Sequence, residues 1–196
     1  MDDKIIMMDN YSQRMKEQTA AKNVKIAGVG ADAEIVTNSA GGKQSKSPMA
    51  MHLVDPKFLN AWFNTTIPDY PMQDFVIRNI TSFMIYEDYN DLLQAIFELH
   101  TKLHGDGSEE NLAIVEIAKV LQYGASRYRA NNWRLIPQEE HINHALIHYM
   151  AYLLGDEQDN HIEHCMCRLM MAYATEKSEG FSYTKYKPSP SEQVHG

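Results

Sequence analysis

The chain is poor in several things that would narrow its function. It has two cysteines, Cys165 and Cys167, one residue apart. On a helix such a pair points to different sides, so no disulfide is expected between them, and the spacing is not that of a zinc motif. Small reduced thiols in a cytoplasmic protein are the expectation. Positive charge is also scarce, with 18 Lys and Arg against 26 Asp and Glu and a net charge of -8. Nucleic acid is therefore not an expected partner, because phosphate-backbone binding needs a basic face. No apolar run approaches the roughly 20 residues that cross a bilayer. The start, Met1-Asp2-Asp3-Lys4, leads into only a short apolar patch, so neither a secretory signal nor membrane association is expected.

Histidine is what the chain has in abundance. Of nine in total, His141, His144, His148, His161 and His164 fall in one short stretch. Upstream lie Tyr123-Gly124-Ala125-Ser126-Arg127-Tyr128 and Asn132-Trp133-Arg134. Imidazole is the side chain that titrates near neutrality and the common neutral metal ligand.

The organisation reads as all-α: a compact bundle of about four to five helices, with an N-terminal arm over residues 1–40, one domain over 41–177 and a flexible tail over 178–196. Gly41-Gly42-Lys43-Gln44-Ser45 is either a phosphate-cradling loop or a linker; its spacing is not that of a Walker A loop. Asp55-Pro56 opens a short helix as N-cap and first-turn proline. Residues 64–86 read as irregular with one short helix at most. Helices are predicted over 88–104 and 108–129, the latter with an apolar stripe of Ile114, Ile117, Ala118, Leu121 and Ala125, and then over 138–154 and 160–177.

Advancing about 100° per residue separates two faces on each of the last two helices. Ile142, Leu146, Tyr149 and Leu153 form the core face of one, flanked by His141, His144, His148 and Tyr152. Ile162, Met166, Leu169 and Tyr173 do so on the other, flanked by His161, His164 and Arg168. A short turn rich in acids, Asp156-Glu157-Gln158-Asp159, would bring the two flanks to one cleft. Histidines one helical turn apart can share a metal ion, bind phosphate or a ribose, or act as acid and base. Each is equally a side chain bonded to a nearby carbonyl.

The order of these pieces resembles the phage dATP/dGTP diphosphohydrolases, all-α proteins of the MazG-like nucleotide pyrophosphohydrolase type. The matching residues are the Gly41–Ser45 segment, Asp55-Pro56, Glu116, Tyr123 to Tyr128, Asn132-Trp133-Arg134, His148, Gly155-Asp156, and His161 with His164 and Cys167. Residues of about 60–108 look like an insertion in that pattern. The resemblance implies metal-dependent hydrolysis of a purine deoxynucleoside triphosphate to its monophosphate and pyrophosphate. Glu116, Asp156 and Asp159 would hold Mg²⁺ or Mn²⁺, and His148, His164 and Glu116 would be the catalytic groups. Lys43, Arg127 and Arg134 would hold phosphates. Tyr123, Tyr128 or Trp133 would stack on the base, with Asn132 bonded to base or sugar, and Gln44, His144 and His161 would complete the binding set. It also implies a homo-oligomer with pockets at subunit interfaces, in the host cytoplasm if phage-encoded.

The sequence departs from that pattern in its acids. Lys119 stands where the second glutamate of an ExxE pair would follow Glu116, and the turn offers a DxxD only. This favours a second reading: a non-catalytic protein that sequesters a nucleotide signal of host anti-phage immunity. A third, an assembly role for the apolar start and the insertion, leaves the histidine stripes unexplained.

Overall fold

The computed structural model describes residues 26, 33–64, 66–67, 70–71, 74–105 and 112–184, with the backbone alone at 66–67 and 70–71. The Ile5–Met8 patch and the Gly28–Gly30 stretch of the expected arm, the Ser108 cap, and Pro188 and Pro190 of the expected tail lie outside the described residues. The fold is all-α. Among the described residues there are six helices, α1 (Pro56–Phe63), α2 (Phe75–Tyr86), α3 (Tyr89–His104), α4 (Leu112–Arg127), α5 (Gln138–Leu153) and α6 (His161–Tyr173), with 3-10 turns at Met51–Leu53 and Asn132–Leu135. Two short antiparallel hairpins accompany them, β1 (Ile35–Thr37) with β2 (Lys43–Ser45), and β3 (Thr66–Ile67) with β4 (Tyr70–Pro71). Among the described residues no helix is long and apolar enough to cross a membrane.

Local chemistry sets the helix boundaries. Asp55 accepts the Phe58 N–H at 2.9 Å with Pro56 in the first turn, as the sequence predicts, and Asp74 caps α2 through the Ile77 N–H at 3.0 Å. Unpaired first-turn donors are satisfied in this way. Residue Glu87, at φ 59, ends α2 and lets α3 double back. Gly105, at φ 86, ends α3.

Helix α5 is the centre of the molecule. Its Ile142, Ala145, Leu146 and Tyr149 pack with Ile162, Cys165, Met166 and Leu169 of α6, and all of these are buried. The predicted core faces of α5 and α6 are therefore present, except that Leu153 is only partly buried and Tyr173 is largely exposed, its ring edge-on to Tyr89 at 5.5 Å. Both cysteines are free and buried, and burial raises both thiols above their ordinary range. The second half of the core comes from α2 and α3. Val76, Ile77, Ile80 and Phe83 of α2 and Leu92, Ala95 and Leu99 of α3 are wholly buried. A 12-residue helix thus stands in a segment that reads as mostly irregular. The prolines that suggest irregularity, Pro68 and Pro71, precede it, and an Asp-capped apolar run follows them.

Helix α4 departs from its predicted stripe. Ala113 and Ile117 are the buried residues, whereas Ile114 is 67% exposed and Ala118 and Ala125 also face out. The reason is geometric. α4 packs mainly on α6 with a lesser contact on α3, so part of the wide stripe expected of a helix packed on both flanks has nothing to cover it.

The Gly41–Ser45 segment is neither a linker nor a free loop. It is the turn and second strand of the β1–β2 hairpin, and side chains fasten it to the Asn132–Leu135 turn. Asn132 accepts the Lys43 N–H at 3.0 Å and donates to the Lys43 carbonyl at 2.6 Å. Asn38 donates to the Leu135 carbonyl at 2.6 Å and accepts the Gly42 N–H at 2.7 Å. Glycine is required at 42 by this closeness: a Cβ there would lie 2.7 Å from the Leu135 carbonyl oxygen. Gly42→Ala should destabilise the protein by about 1–3 kcal/mol, the usual cost of forcing atoms into a filled site. By contrast Gly124→Ala, in an open position on α4, should be neutral or stabilising by about 0.5–1 kcal/mol. Denaturant midpoints of the two variants check this; equal shifts would contradict it.

Candidate functional site

A cavity of about 420 Å³ opens where α4, α5, α6, the hairpin and the Asn132–Leu135 turn converge. Such a volume is in the range of small-molecule pockets. The last two turns of α4 form one wall with Tyr123, Arg127 and Tyr128, and Lys43 and Trp133 stand on the hairpin side. Opposite them α5 and α6 present His144, His148, His164 and Arg168, with Asp159 from the intervening turn. The two histidine flanks do meet in one cleft.

His148, Asp159 and His164 offer ligand atoms that all lie within 4.8 Å of one another. Asp159 Oδ2 stands 3.2 Å from His164 Nδ1, and the rings of His148 and His164 meet edge to face at 5.0 Å. Behind them a second row fixes their orientation. His148 Nδ1 faces His161 Nδ1 at 3.1 Å, and His161 Nε2 lies 3.5 Å from Asp156 Oδ1, a charge contact rather than a hydrogen bond. Burial alone would raise the Asp156 carboxyl. Hydrogen bonds from the Gln158 backbone and side chain and from the Ile26 N–H outweigh it and hold the carboxyl below its usual range. An ionised Asp156 favours the proton on His161 Nε2. That makes His161 Nδ1 the acceptor and His148 Nδ1 the donor, and leaves the other nitrogen of His148 with a free lone pair.

Burial lowers His141, His144, His148 and His164. His144 and His148 are held well below 6.5 by burial first and by the Arg168 charge and neighbouring imidazoles second. His164 is lowered by burial, against the opposing pull of Asp159. At neutral pH these are neutral imidazoles, the form that ligates a metal or accepts a proton.

The predicted residues fall into two groups. Lys43, Tyr123, Arg127, Tyr128, Asn132, Trp133, His144, His148, Asp159 and His164 share the cavity. Five others do not reach it. Glu116 lies at least one helical turn away from it and pairs with Lys119 Nζ at 2.9 Å. Asp156 and His161 stand behind His148, as described above. Gln44 donates to Glu140 at 3.3 Å, and Arg134 stacks its guanidinium over the Trp133 ring at 4.3 Å on the outer side. Within the first group, Asn132 spends its amide on the Lys43 backbone, and His144 bonds the Ser47 hydroxyl at 2.9 Å.

Sequence reasoning passed over His141 and Arg168 as site residues. His141 Nε2 lies 3.0 Å from the Trp133 carbonyl, and Arg168 Nη1 lies 3.2 Å from His141 Nδ1. A carbonyl only accepts and a guanidinium only donates, so His141 carries its proton on Nε2 and is neutral. The one signal available in the sequence was the shared flank of His141 and Arg168 with the other histidines.

The family model described as dATP/dGTP diphosphohydrolase, N-terminal, matches residues 110–183. That match supports the family which the sequence resembles. It begins just before α4 and ends beyond α6, so it takes in every helix that lines the cavity and leaves out the hairpin. The family name indicates hydrolysis of dATP or dGTP, and a nucleotide substrate is consistent with it. No curated protein and no solved structure matches the chain.

Burial, then the Arg168 charge, lowers the His141 pKa from 6.5 to about 3. Between these values the unfolded chain holds a proton that the folded chain refuses. His141 therefore contributes stability that is complete above about pH 6.5 and is lost as pH falls towards 3; His144 and His148 act in the same direction. Unfolding free energy should drop steeply from pH 7 to pH 5, and His141→Gln should reduce that slope by up to about one proton. Titration of the denaturant midpoint reads this directly. A pH-independent midpoint would contradict the burial of neutral histidines.

Proposed function

We propose that the chain is a metal-dependent nucleotide pyrophosphohydrolase that converts dATP or dGTP to the monophosphate and pyrophosphate. The observation that carries this reading is the His148, Asp159 and His164 cluster on one wall of a cavity whose other wall holds cations and aromatic rings.

The donor set fits a divalent ion. Two neutral imidazoles and one carboxylate are softer than the all-oxygen shell that Mg²⁺ prefers, and favour Mn²⁺. When bound, such an ion would neutralise phosphate charge and lower the pKa of a water. His148, oriented by His161 and Asp156, and His164, oriented by Asp159, would be the groups that hold it. Lys43 and Arg127 would take phosphate oxygens, and Tyr123, Tyr128 or Trp133 would stack on the purine. In the reaction the water oxygen bonds to the α-phosphorus and the bond to the bridging oxygen breaks. The electron pair leaves with pyrophosphate, and the proton given up by the water passes to solvent. Asn132 supports the site by pinning Lys43 rather than by touching the base. Glu116 and Asp156 are not ligands in this version of the site.

The exposed Ile114 and Val115 of α4 and the stacked, exposed Phe58 and Trp62 of α1 support a homo-oligomer, and the family indicated supports a cytoplasmic setting. A second reading, binding a nucleotide signal without cleavage, is favoured by one fact: a single carboxylate, Asp159, joins the two imidazoles of the cluster.

Incubation with dATP, dGTP, NTPs, cyclic nucleotides and ADP-ribose, with Mn²⁺, Mg²⁺ or chelator, separates the readings by mass spectrometry. The expected outcome is release of monophosphate and pyrophosphate from dATP or dGTP, strongest in Mn²⁺ and lost in chelator. His148→Ala and Asp159→Asn should each lower turnover by about 100-fold or more while the protein stays folded, since both remove a metal donor. A nucleotide that disappears from solution and returns intact on heating would instead establish the binding protein.

A further inference from the structure

We propose that Arg168 is the anion-gripping residue of the cavity, the side chain that binds the phosphate chain of the nucleotide, and that His141 positions it. The inference deepens the hydrolase reading and rests on it for the identity of the anion.

The argument begins with a charge lacking an obvious partner. Arg168 lies on α6 and contributes to the cavity wall. Among the described residues no carboxylate stands within ion-pair distance of its guanidinium. The nearest candidate by helix position, Glu140, has its carboxylate engaged with Gln44 at 3.3 Å. Around Arg168 stand the neutral imidazoles of His141 and His144, the Cys167 thiol and the Tyr128 phenol, while the Glu140 carboxylate acts on it from beyond ion-pair distance. A guanidinium withdrawn from water is costly unless an anion or several acceptors meet it. Its burial even lowers the tendency of this arginine to hold its proton. Among the described residues one acceptor meets it, His141 Nδ1, which takes a single N–H at 3.2 Å. Arginine carries five N–H donors in a planar fork, so the remaining donors are available to a ligand in the cavity.

The geometry around His141 shows why that acceptor is an imidazole. The Trp133 carbonyl fixes the proton on Nε2 and so presents a lone pair to the guanidinium from Nδ1. A neutral acceptor orients the fork without neutralising it, whereas a carboxylate in the same place would cancel the charge that a phosphate chain needs. Lys43 and Arg127 stand on other parts of the same cavity, so the three cations can embrace a polyphosphate that no single one would hold.

The test is calorimetric titration of the full chain with inorganic pyrophosphate in chelator, which requires neither turnover nor metal. Arg168→Gln should weaken pyrophosphate binding by about tenfold or more, the scale of losing a charge-assisted bidentate contact. His141→Phe should weaken it by a smaller factor. Arg168→Lys, which keeps the charge but not the fork, should fall between wild type and Arg168→Gln. Should Arg168→Gln fail to fold, Arg168→Lys carries the test, with weakening of about threefold or more expected. Pyrophosphate affinity unchanged in a folded Arg168 variant, or absent in the wild type, would overturn the inference. dATP turnover by the wild type reports the hydrolase reading separately. Turnover with pyrophosphate affinity indifferent to Arg168 removes only the role of Arg168; an Arg168-dependent grip without turnover removes only the hydrolase.

Discussion

The structure depends on one constraint: a seam of imidazoles and a guanidinium lies inside the molecule between α5 and α6, and every member must be kept neutral or hydrogen-bonded. The apolar halves of these helices close the core in the ordinary way. Their polar halves are buried as well, because the hairpin, the Asn132–Leu135 turn and α4 cover them. Groups so placed have little access to water, so most of them bond to one another. The chain Asp156, His161, His148 runs along one side, and the chain Trp133 carbonyl, His141, Arg168 along the other. Both end at the cavity. The polar network that permits the fold is also the device that fixes which nitrogen each histidine presents.

From this follows a division of labour that composition alone hides. Of the five clustered histidines, His141 and His161 act on other side chains and His144 is tied to Ser47, which leaves His148 and His164 with Asp159 as the candidate donor set. Acids divide similarly. Asp159 reaches the cavity, Asp156 works from behind through its charge, and Glu116 is held by Lys119. In the proposed site the acid deficit seen against the family pattern would be met by imidazoles, which would suit a softer ion than Mg²⁺. The diphosphohydrolase model covers α4 to α6, and these helices with the turn that holds Asp159 carry the cluster and most of the cavity wall.

Much of this was legible in the sequence where period and caps speak together. The Asp55-Pro56 cap, the bounds of α3 and α5, and the facing histidine flanks all follow from helical spacing. What was not legible depended on contacts remote in sequence. The helical periodicity of α2 was obscured by the prolines and aromatics ahead of it. The stripe of α4 was drawn too wide because a sequence does not say how many neighbours a helix has. Gly42 looked like part of a phosphate-cradling loop or a linker, yet it is needed because the Leu135 carbonyl lies against it, 93 residues away along the chain. Asn132 looked like a ligand-binding amide, yet it holds the hairpin. Arg168 was visible only as a member of a flank, because only the folded chain reveals that among the described residues no carboxylate pairs with it.

The central claim is that one divalent ion is held by two histidine nitrogens and one aspartate. Pulsed electron paramagnetic resonance of the Mn²⁺-loaded protein tests it most directly. The account predicts nitrogen couplings from two imidazoles, reduced to one in His148→Ala and in His164→Ala and absent when both are replaced. Mn²⁺ bound with oxygen ligands alone, or nitrogen couplings unaltered by these replacements, would contradict it.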